Sequence, residues 1–478
     1  MRRVETDVVI IGAGTAGMSA YRAVKKAGLN AILVEGGPYG TTCARVGCMP
    51  SKLLIAAAEA AHAAAHAGAF GVHIDGRLRV DGVQVMDRVR RERDRFVGFV
   101  LQSVDDIPKT DKLRGYARFV SNTVLDVDDH TQIHAQRVII ASGSTPVVPE
   151  SYSSLGDRVV VNDDVFAWRD LPRRVMVVGA GVIGLELGQA LSRLGVEVRV
   201  LSRSGGVAGI SDPVVRAVAK EVFEAEFSLL LNAEILDTKR VGDEVEIRYR
   251  DAAKNEAIER FDYLLVATGR APNIKGLALE NTDAVLDDKG MPRFDPGTLQ
   301  VGSTPIFLAG DVNAHFPVLH VAADDGRIAG QNAAGYPKVV APARSALLAI
   351  VFTDPQIAQM GMRYKDLPED GVVIGEVDFS DQGRSRVILK NYGKLRVYCA
   401  KSDGEFLGAE MAGPSAEHVS HLLAWAAQQN LTVEQMLAMP FYHPVIEEGV
   451  RTALRDAARQ VAVHRDAASE AHALSHLD

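Results

Sequence analysis

Apolar positions along this chain fall into short runs, and most of the runs end in glycine. Val8 to Ile11 is continuous apolar sequence that stops at Gly12, the pattern of a strand buried on both faces. VIIASGSTPVVP (Val138 to Pro149) and LLVATGRAPN (Leu264 to Asn273) repeat the form, with Pro146 and Pro272 stopping any continuation. Each predicts a crossover between domains. TPIFLAGDVN (Thr304 to Asn313) predicts another buried strand, terminating in Gly310 and Asp311. After about residue 345 the pattern changes to alternating strands such as KLRVYCA (Lys394 to Ala400) followed by helices, which predicts an α+β domain of different character. From Arg451 onward the sequence is alanine-rich and charged, predicting a helix that frays.

A weak internal repeat organises the first two thirds. Asp7 to Glu35 (DVVIIGAGTAGMSAYRAVKKAGLNAILVE) matches Arg174 to Ser202 (RVMVVGAGVIGLELGQALSRLGVEVRVLS) nearly element for element. Both read as strand, glycine-rich turn, helix, glycine and second strand, ending where a ribose is read. Gly12, Gly14 and Gly17, then Gly179, Gly181 and Gly184, allow the tight turn and the close approach of a pyrophosphate. The helix that follows aims its positive end at that phosphate. One such turn is weak evidence. Two, each between a strand and a helix, predict two dinucleotide-binding domains.

Composition narrows the class without changing this picture. The chain has 478 residues, 47% hydrophobic and 24% charged, long enough for about two to four domains. A net charge of −8 and the lack of a basic block argue against a nucleic-acid partner. The N-terminal apolar run is too short for a signal peptide and has no small-residue cleavage site after it. No stretch reads as the ~20 apolar residues that span a bilayer; the most apolar, Leu53 to Ala69, is broken by Glu59, His62 and His66. A cytoplasmic protein is expected, and there a permanent disulfide is unusual.

TTCARVGCMPSK (Thr41 to Lys52) nevertheless holds two of the chain's 3 cysteines, Cys43 and Cys48. A zinc site needs about four ligands, and neither Cys399 nor a suitably spaced histidine pair accompanies them. No metal is therefore expected. A structural disulfide would close only a small loop. A redox pair fits better, because the start of the helix through PSKLLIAAAEAAHAAAHA lowers thiol pKa values. FYHPVIEEG adds His443 with Glu448, an imidazole and a carboxylate suited to moving protons in both directions.

In order along the chain stand the first glycine turn with Glu35, the CxxxxC followed by Pro50, Ser51 and Lys52, and the second glycine turn with Glu186. ATGRAPN, AGDV, VFTDPQIAQMG and HPVIEE follow. This order resembles the FAD-containing pyridine nucleotide–disulfide oxidoreductases from about Thr6 to about Ala457, with the dihydrolipoamide dehydrogenases as nearest members. The resemblance implies an α/β fold with two Rossmann-like domains and a C-terminal α+β dimerisation domain. It divides the chain into 1–150 (FAD, first part), 151–270 (NAD(P)), 271–345 (return to the FAD or central domain) and 346–478 (dimerisation, with the tail). Glu35 would bind the adenosine ribose of FAD and Asp311 its ribityl chain. Lys52 and Glu186 would pair beside the flavin and tune its electronics. Thr42, Ser142, Gly143, Gly310 and Gly269 complete the expected cofactor contacts. Cys43 would exchange with a disulfide or dithiol substrate and Cys48 would lie against the flavin. His443 would reach the cysteines of the other subunit of a homodimer. The expected substrate is lipoamide, possibly on a 2-oxo acid dehydrogenase complex.

Several residues depart from that pattern. Thr41 replaces a customary glycine, Gln356 a glutamate and Phe441 a histidine. Where NAD-preferring members have an acidic residue, this chain has Ser202 followed by Arg203, which favours NADPH; Gly184, in place of an alanine, points to NADH. Mercuric reductases share the Leu-x-Arg-Ser stretch but carry a C-terminal cysteine pair that AHALSHLD lacks. A glutathione-type reductase would have Lys in place of Ser51, and a soluble transhydrogenase lacks the complete thiol pair. A flavoprotein scaffold without turnover would need none of Cys43, Cys48, Lys52, His443 and Glu448 together.

Overall fold

The computed structural model describes residues Met1–Ser475; the extreme C-terminus, where fraying is expected, lies outside the described residues. Three sheets carry the architecture. In the first, parallel strands run in the order Lys112–Arg114, Ala31–Glu35, Arg2–Ile11, Thr131–Ile140 and Ile306–Leu308. The N-terminal half of Thr131–Ile140 also takes the antiparallel strands Val124–Val127 and Ala117–Ser121 on its free edge. Val8, Val9, Ile10, Leu33, Val138 and Ile139 are fully buried, which is why the sequence shows runs and not alternation.

Helices Thr15–Lys26 and Leu319–Gly335 cover one face and approach closely. A Cβ at Gly326 would sit 2.1 Å from the carbonyl oxygen of Ala16, and one at Gly330 2.7 Å from that of Ala20. Only glycine permits that approach.

The second sheet is parallel, in the order Ser228–Leu231, Glu197–Ser202, Arg174–Val178, Tyr263–Val266 and Val159–Val160, and an antiparallel trio (Glu234–Val241, Glu244–Arg250, Glu256–Phe261) lies beside it. Between the two parallel sheets, Ser144–Pro146 and Arg270–Pro272 pair as an antiparallel ribbon. The Ser142 hydroxyl donates to the Asn273 carbonyl at 2.7 Å and the Asn273 amide donates back to the Ser142 carbonyl at 2.9 Å, clasping the two passes of the chain together.

The third sheet is antiparallel: Leu348–Val351, Gln356–Gly361, Phe406–Gly413, Lys394–Ala400, Val372–Asp378. Helices Ala416–Gln428 and Glu448–Ser475 pack on it over a core that includes Leu395, Val397, Phe406, Val419, Leu423 and Leu454.

Helix Cys48–His66 departs from the sequence expectation. Taken with the short helical segments on either side of it, Thr42–Phe70 is long and apolar enough by length and composition to cross a membrane, with a mean hydropathy of 1.3 over an 18-residue window, because its alanines outweigh Glu59, His62 and His66. Its packing is that of a folded protein's helix: Leu54, Ile55 and Ala58 are buried in one cluster with Met86, Val89, Leu185 and Leu187. That contact carries Lys52 to the second dinucleotide fold.

Candidate active site

Both glycine turns are built alike. A Cβ at Gly12 or Gly179 would lie 2.3 or 2.4 Å from the carbonyl oxygen of Ala141 or Ala267, at φ of 106° and 113°. A Cβ at Gly17 or Gly184 would lie 1.8 or 1.9 Å from the oxygen of Gly12 or Gly179. These four glycines are therefore required by the turn and by helix–strand packing. Gly14 and Gly181 have nothing within 4 Å of such a Cβ. Open space over the middle glycine, at the N-terminus of a helix, is the cradle a pyrophosphate fits. Glu35 ends its strand accepting from the Ala13 N–H at 2.8 Å and the Gly37 N–H at 2.7 Å, which fixes its carboxylate beside the first turn. The residues present fit two dinucleotide cofactors.

A cavity of about 490 Å³ opens from Gly14 and Thr15 to the second fold. Its wall includes Thr42, Cys43, Cys48, Lys52, Gly143, Glu186, Gly310 and Asp311. Asp311 accepts from the Ser144 hydroxyl at 3.0 Å, and Gly310 turns at φ 78° with its N–H bonded to the buried Asp325 at 3.1 Å. Glu186, with 4% of its side chain exposed, receives Lys52 Nζ at 2.9 Å on Oε1 and 2.7 Å on Oε2. The Phe352 N–H donates to the same carboxylate at 2.9 Å, while the Phe352 ring lies under the ammonium, 4.6 Å from Nζ to its centroid. A buried pair of charges is tolerated when its remaining valences are met in this way. Phe352 comes from the third sheet's side of the molecule, and no spacing rule could have found it; its motif, VFTDPQIAQMG, was visible but its role was not.

Cys43 and Cys48 are free thiols here. Cys48 is the first residue of its long helix, whereas Cys43 belongs to a separate short helix, Thr42–Val46. Thr41 caps the short helix by accepting from the Ala44 N–H at 3.3 Å, and does so at φ 58° and ψ 150°, a conformation that suits glycine. The substitution noted in the sequence therefore falls where a side chain is strained. The two thiols are not equivalent. Cys48 is lowered to about 7, first by the hydrogen bond from the Cys43 thiol and then by the Lys52 ammonium, with burial opposing. Cys43 is raised, first by giving that hydrogen bond and then by burial. The thiolate of the reduced pair is Cys48.

His443 and Glu448 stand apart from this cavity. His443 Nδ1 lies 3.0 Å from Glu448 Oε2, and since an ionised carboxylate only accepts, Nδ1 carries the proton. Glu448 also takes Arg451 at 3.2 Å and is held below the usual carboxylate range, chiefly by His443. The imidazole side chain is 79% exposed on the single chain. Ser202 lies at the buried end of its strand, and Arg203 is exposed beside it, close enough to Tyr152 to oppose the rise that burial gives that phenol. Gly269 turns at φ 124° and its carbonyl accepts from the Val147 N–H at 3.0 Å, on the crossover and off the cavity wall. Gln356 accepts from the Glu417 N–H at 3.1 Å, and Phe441 packs on the third core with Arg451 over its ring, so both substitutions have local partners. Two cavity-lining histidines, His320 and His421, carried no sequence signal.

Two dinucleotide cradles flanking a dithiol and a Lys–Glu pair define an oxidoreductase that works between a nucleotide cofactor and sulfur. Residues 6–326 match the family model for pyridine nucleotide-disulphide oxidoreductases, and residues 348–454 match that family's dimerisation domain. The chain is similar to a dihydrolipoyl dehydrogenase of Haloferax volcanii, 31% identical over 469 residues covering 96% of this chain and 97% of the relative. It is likewise 31% identical to dihydrolipoyl dehydrogenase 2 of Haloarcula marismortui (96% and 98% covered), and 28% identical to the Geobacillus stearothermophilus dihydrolipoyl dehydrogenase (93% and 94%). Its fold is like that of a solved HOCl-induced flavoprotein disulfide reductase, RclA of Escherichia coli, at a TM-score of 0.81 and 22% identity over 95% of this chain and 99% of the other. The chain belongs to the pyridine nucleotide-disulphide oxidoreductase family: it is a flavoprotein disulfide oxidoreductase that uses FAD and a pyridine nucleotide, and it carries the family's dimerisation domain.

Proposed function

We propose that the protein oxidises dihydrolipoamide, free or carried on a 2-oxo acid dehydrogenase complex, and passes the electrons to NAD or NADP. The observation that carries this reading is the Cys43–Cys48 pair sharing one cavity wall with the Lys52–Glu186 pair and both glycine-turn folds. The dithiol identity is supported by full-length relatives that bear the dihydrolipoyl dehydrogenase name. FAD, which the first glycine turn, Glu35 and Asp311 would hold, would supply the two-electron chemistry that links the thiols to the nicotinamide.

The chain's own residues carry the sulfur chemistry. In the oxidised enzyme Cys43 and Cys48 form a disulfide. His443 Nε2 takes the proton of one substrate thiol, and the resulting thiolate attacks Cys43 Sγ. A mixed disulfide forms, the Cys43–Cys48 bond breaks, and its electron pair leaves on Cys48. Cys48 suits that role because the Lys52 ammonium favours its thiolate. The second substrate thiol then attacks its partner sulfur and Cys43 leaves; His443 gives its proton to Cys43 and takes the one the second thiol loses, so the reduced enzyme holds a Cys43 thiol, a Cys48 thiolate and a protonated His443. Glu448 fixes the tautomer that leaves Nε2 free. His443 acts on the cysteines of the partner subunit, a reading its exposure on the single chain supports.

We assign Gly12, Gly14, Gly17, Glu35, Thr42, Ser142, Gly143, Gly310 and Asp311 to FAD, and Gly179, Gly181, Gly184, Ser202, Arg203 and Gly269 to the pyridine nucleotide. The domain division stays as read from the chain. A reducing, cytoplasmic compartment suits a thiol pair meant to cycle. The test is steady-state oxidation of dihydrolipoamide by the FAD-loaded protein with NAD and NADP in parallel. Turnover with either supports the reading; none with both, while the nucleotides still reduce other disulfides, removes lipoamide.

A further inference from the structure

The stretch after the second ribose strand, Ser202–Asp212, is held from behind by a residue that no bound nucleotide would touch. Its kink is strained: Ala208 and Gly209 follow one another at φ 50° and 79°, and Ala208 has a Cβ to accommodate there. The kink has one visible product. It delivers the Ala208 N–H to the carbonyl of Ala180 at 2.8 Å, inside the Gly179–Gly184 turn.

What keeps it there is Glu410, from strand Phe406–Gly413 of the third sheet. Glu410 is 0% exposed, and its carboxylate accepts from the Ser211 N–H at 2.8 Å, the Ser211 hydroxyl, the Asp212 N–H at 3.1 Å and the Tyr364 N–H at 3.1 Å. Gln359 donates from Nε2 to Gly209's carbonyl at 2.9 Å and to Glu410 at 3.4 Å. Next to it Asp212, also 0% exposed, caps helix Pro213–Glu226 through the Val214 and Val215 N–H groups. Asp212 further accepts from Arg396 at 2.9 and 2.8 Å and from the Tyr398 hydroxyl at 2.9 Å. Burying a carboxylate is costly, and a neutral side chain could join two surfaces at lower cost. An anion that gathers the N–H groups at the end of a strained loop fixes that loop in one geometry.

We propose that Glu410 is a positioning residue for the pyridine nucleotide, acting from the dimerisation domain through Ser211 and Gly209 on the turn that cradles the pyrophosphate. This rests on assigning the second glycine turn to that nucleotide. The test is calorimetric titration of NAD and NADP into the oxidised, FAD-loaded enzyme for Glu410→Ala, Glu410→Gln, Ser211→Ala and Arg203→Ala, with flavin content and thermal midpoint measured on each. Glu410→Ala should raise the nucleotide Kd about tenfold, with Glu410→Gln and Ser211→Ala raising it less and flavin content unchanged. Should Glu410→Ala fail to fold, Ser211→Ala, which removes one hydroxyl donor only, still reads the same direction. A lower thermal midpoint with Kd within about twofold of the parent in all three variants makes Glu410 merely structural and overturns the proposal. Arg203→Ala separates the two readings. If it alone raises Kd, the brace falls and the ribose site stands; if the Glu410 variants alone do, the brace stands and the Arg203 contact falls.

Discussion

The ionisation of Cys48 is set by neighbours that can be removed one at a time. Its pKa is lowered from an ordinary 9.0 to about 7. At pH 7 about half of Cys48 is then thiolate, against about 1% for an unperturbed thiol. The sign follows from a depressed acid: the charge is present above about pH 7 and is lost as pH falls through it. Cys43→Ala removes the largest cause and leaves Lys52 in place, so the midpoint should rise by about one pH unit. The thiolate at pH 7 then drops to about a tenth, a roughly fivefold loss. Adding Lys52→Met leaves burial opposed only by a backbone hydrogen bond, and the loss grows to about fiftyfold. Cys43→Ser keeps a donor and should hold the midpoint near its starting value. The assay is alkylation of the reduced, FAD-loaded enzyme across pH, with the Cys48 peptide followed by mass spectrometry. The midpoint of each profile reports ionisation, and its plateau reports access. Cys399, which burial pushes up to about 12, stays silent in this range. An unmoved midpoint in Cys43→Ala, or a parent midpoint near that of free cysteine, refutes the reasoning.

Three other outcomes are expected. Glu186→Leu strands the Lys52 ammonium and the Phe352 N–H, and denaturant unfolding should show a loss of about 3 kcal/mol, the low end for a broken buried pair because Lys52 is partly solvated. Pairing it with Lys52→Met should recover most of that loss; no recovery would mean that the charges are not what the site misses. Arg203→Ala should weaken NADP binding about tenfold and leave NAD nearly unchanged, and equal effects on both would remove the 2′-phosphate argument. His443→Gln should slow dithiol oxidation by about 10²–10⁴-fold while reduction of the flavin by the nicotinamide keeps its rate, since the imidazole serves only the sulfur step.

Much of the frame was legible because its constraints are local. The glycine turns announce themselves within a few residues, and the structure explains the first and third glycine of each by a distance to a carbonyl a few residues or one strand away and the middle one by the open space over it. Glu186 could be suspected as buried from its apolar neighbours, and it is. Contacts made across the fold left no such trace. Phe352 meets Lys52 and Glu186 from the third sheet's side, and Glu410 meets Ser211 across 199 residues. Neither position has a spacing or composition that distinguishes it from ordinary core. Thr41 was visible as a departure, but the positive φ that makes it matter was not. Glu59, His62 and His66 interrupt the apolar run of Thr42–Phe70 without lowering its mean hydropathy enough to offset the alanines around them.

The separation of His443 from the thiols has a consequence that can be tested without touching either site's chemistry. On one chain the imidazole points to solvent while Cys43 and Cys48 line a cavity that His443 does not. If the histidine serves the partner subunit, a dimer has two sites, each made of one chain's cysteines and the other's histidine. Cys48→Ser and His443→Gln homodimers are then both crippled at both sites. In a mixed dimer the two lesions fall on the same site, and the other site is whole. Random reassociation of equal amounts makes about half of all dimers mixed, so about a quarter of parental sites should return. Dihydrolipoamide oxidation measured before and after reversible dissociation reads this directly. If each chain used its own histidine, every site in the mixture would keep one lesion, and no activity would return above that of the His443→Gln enzyme.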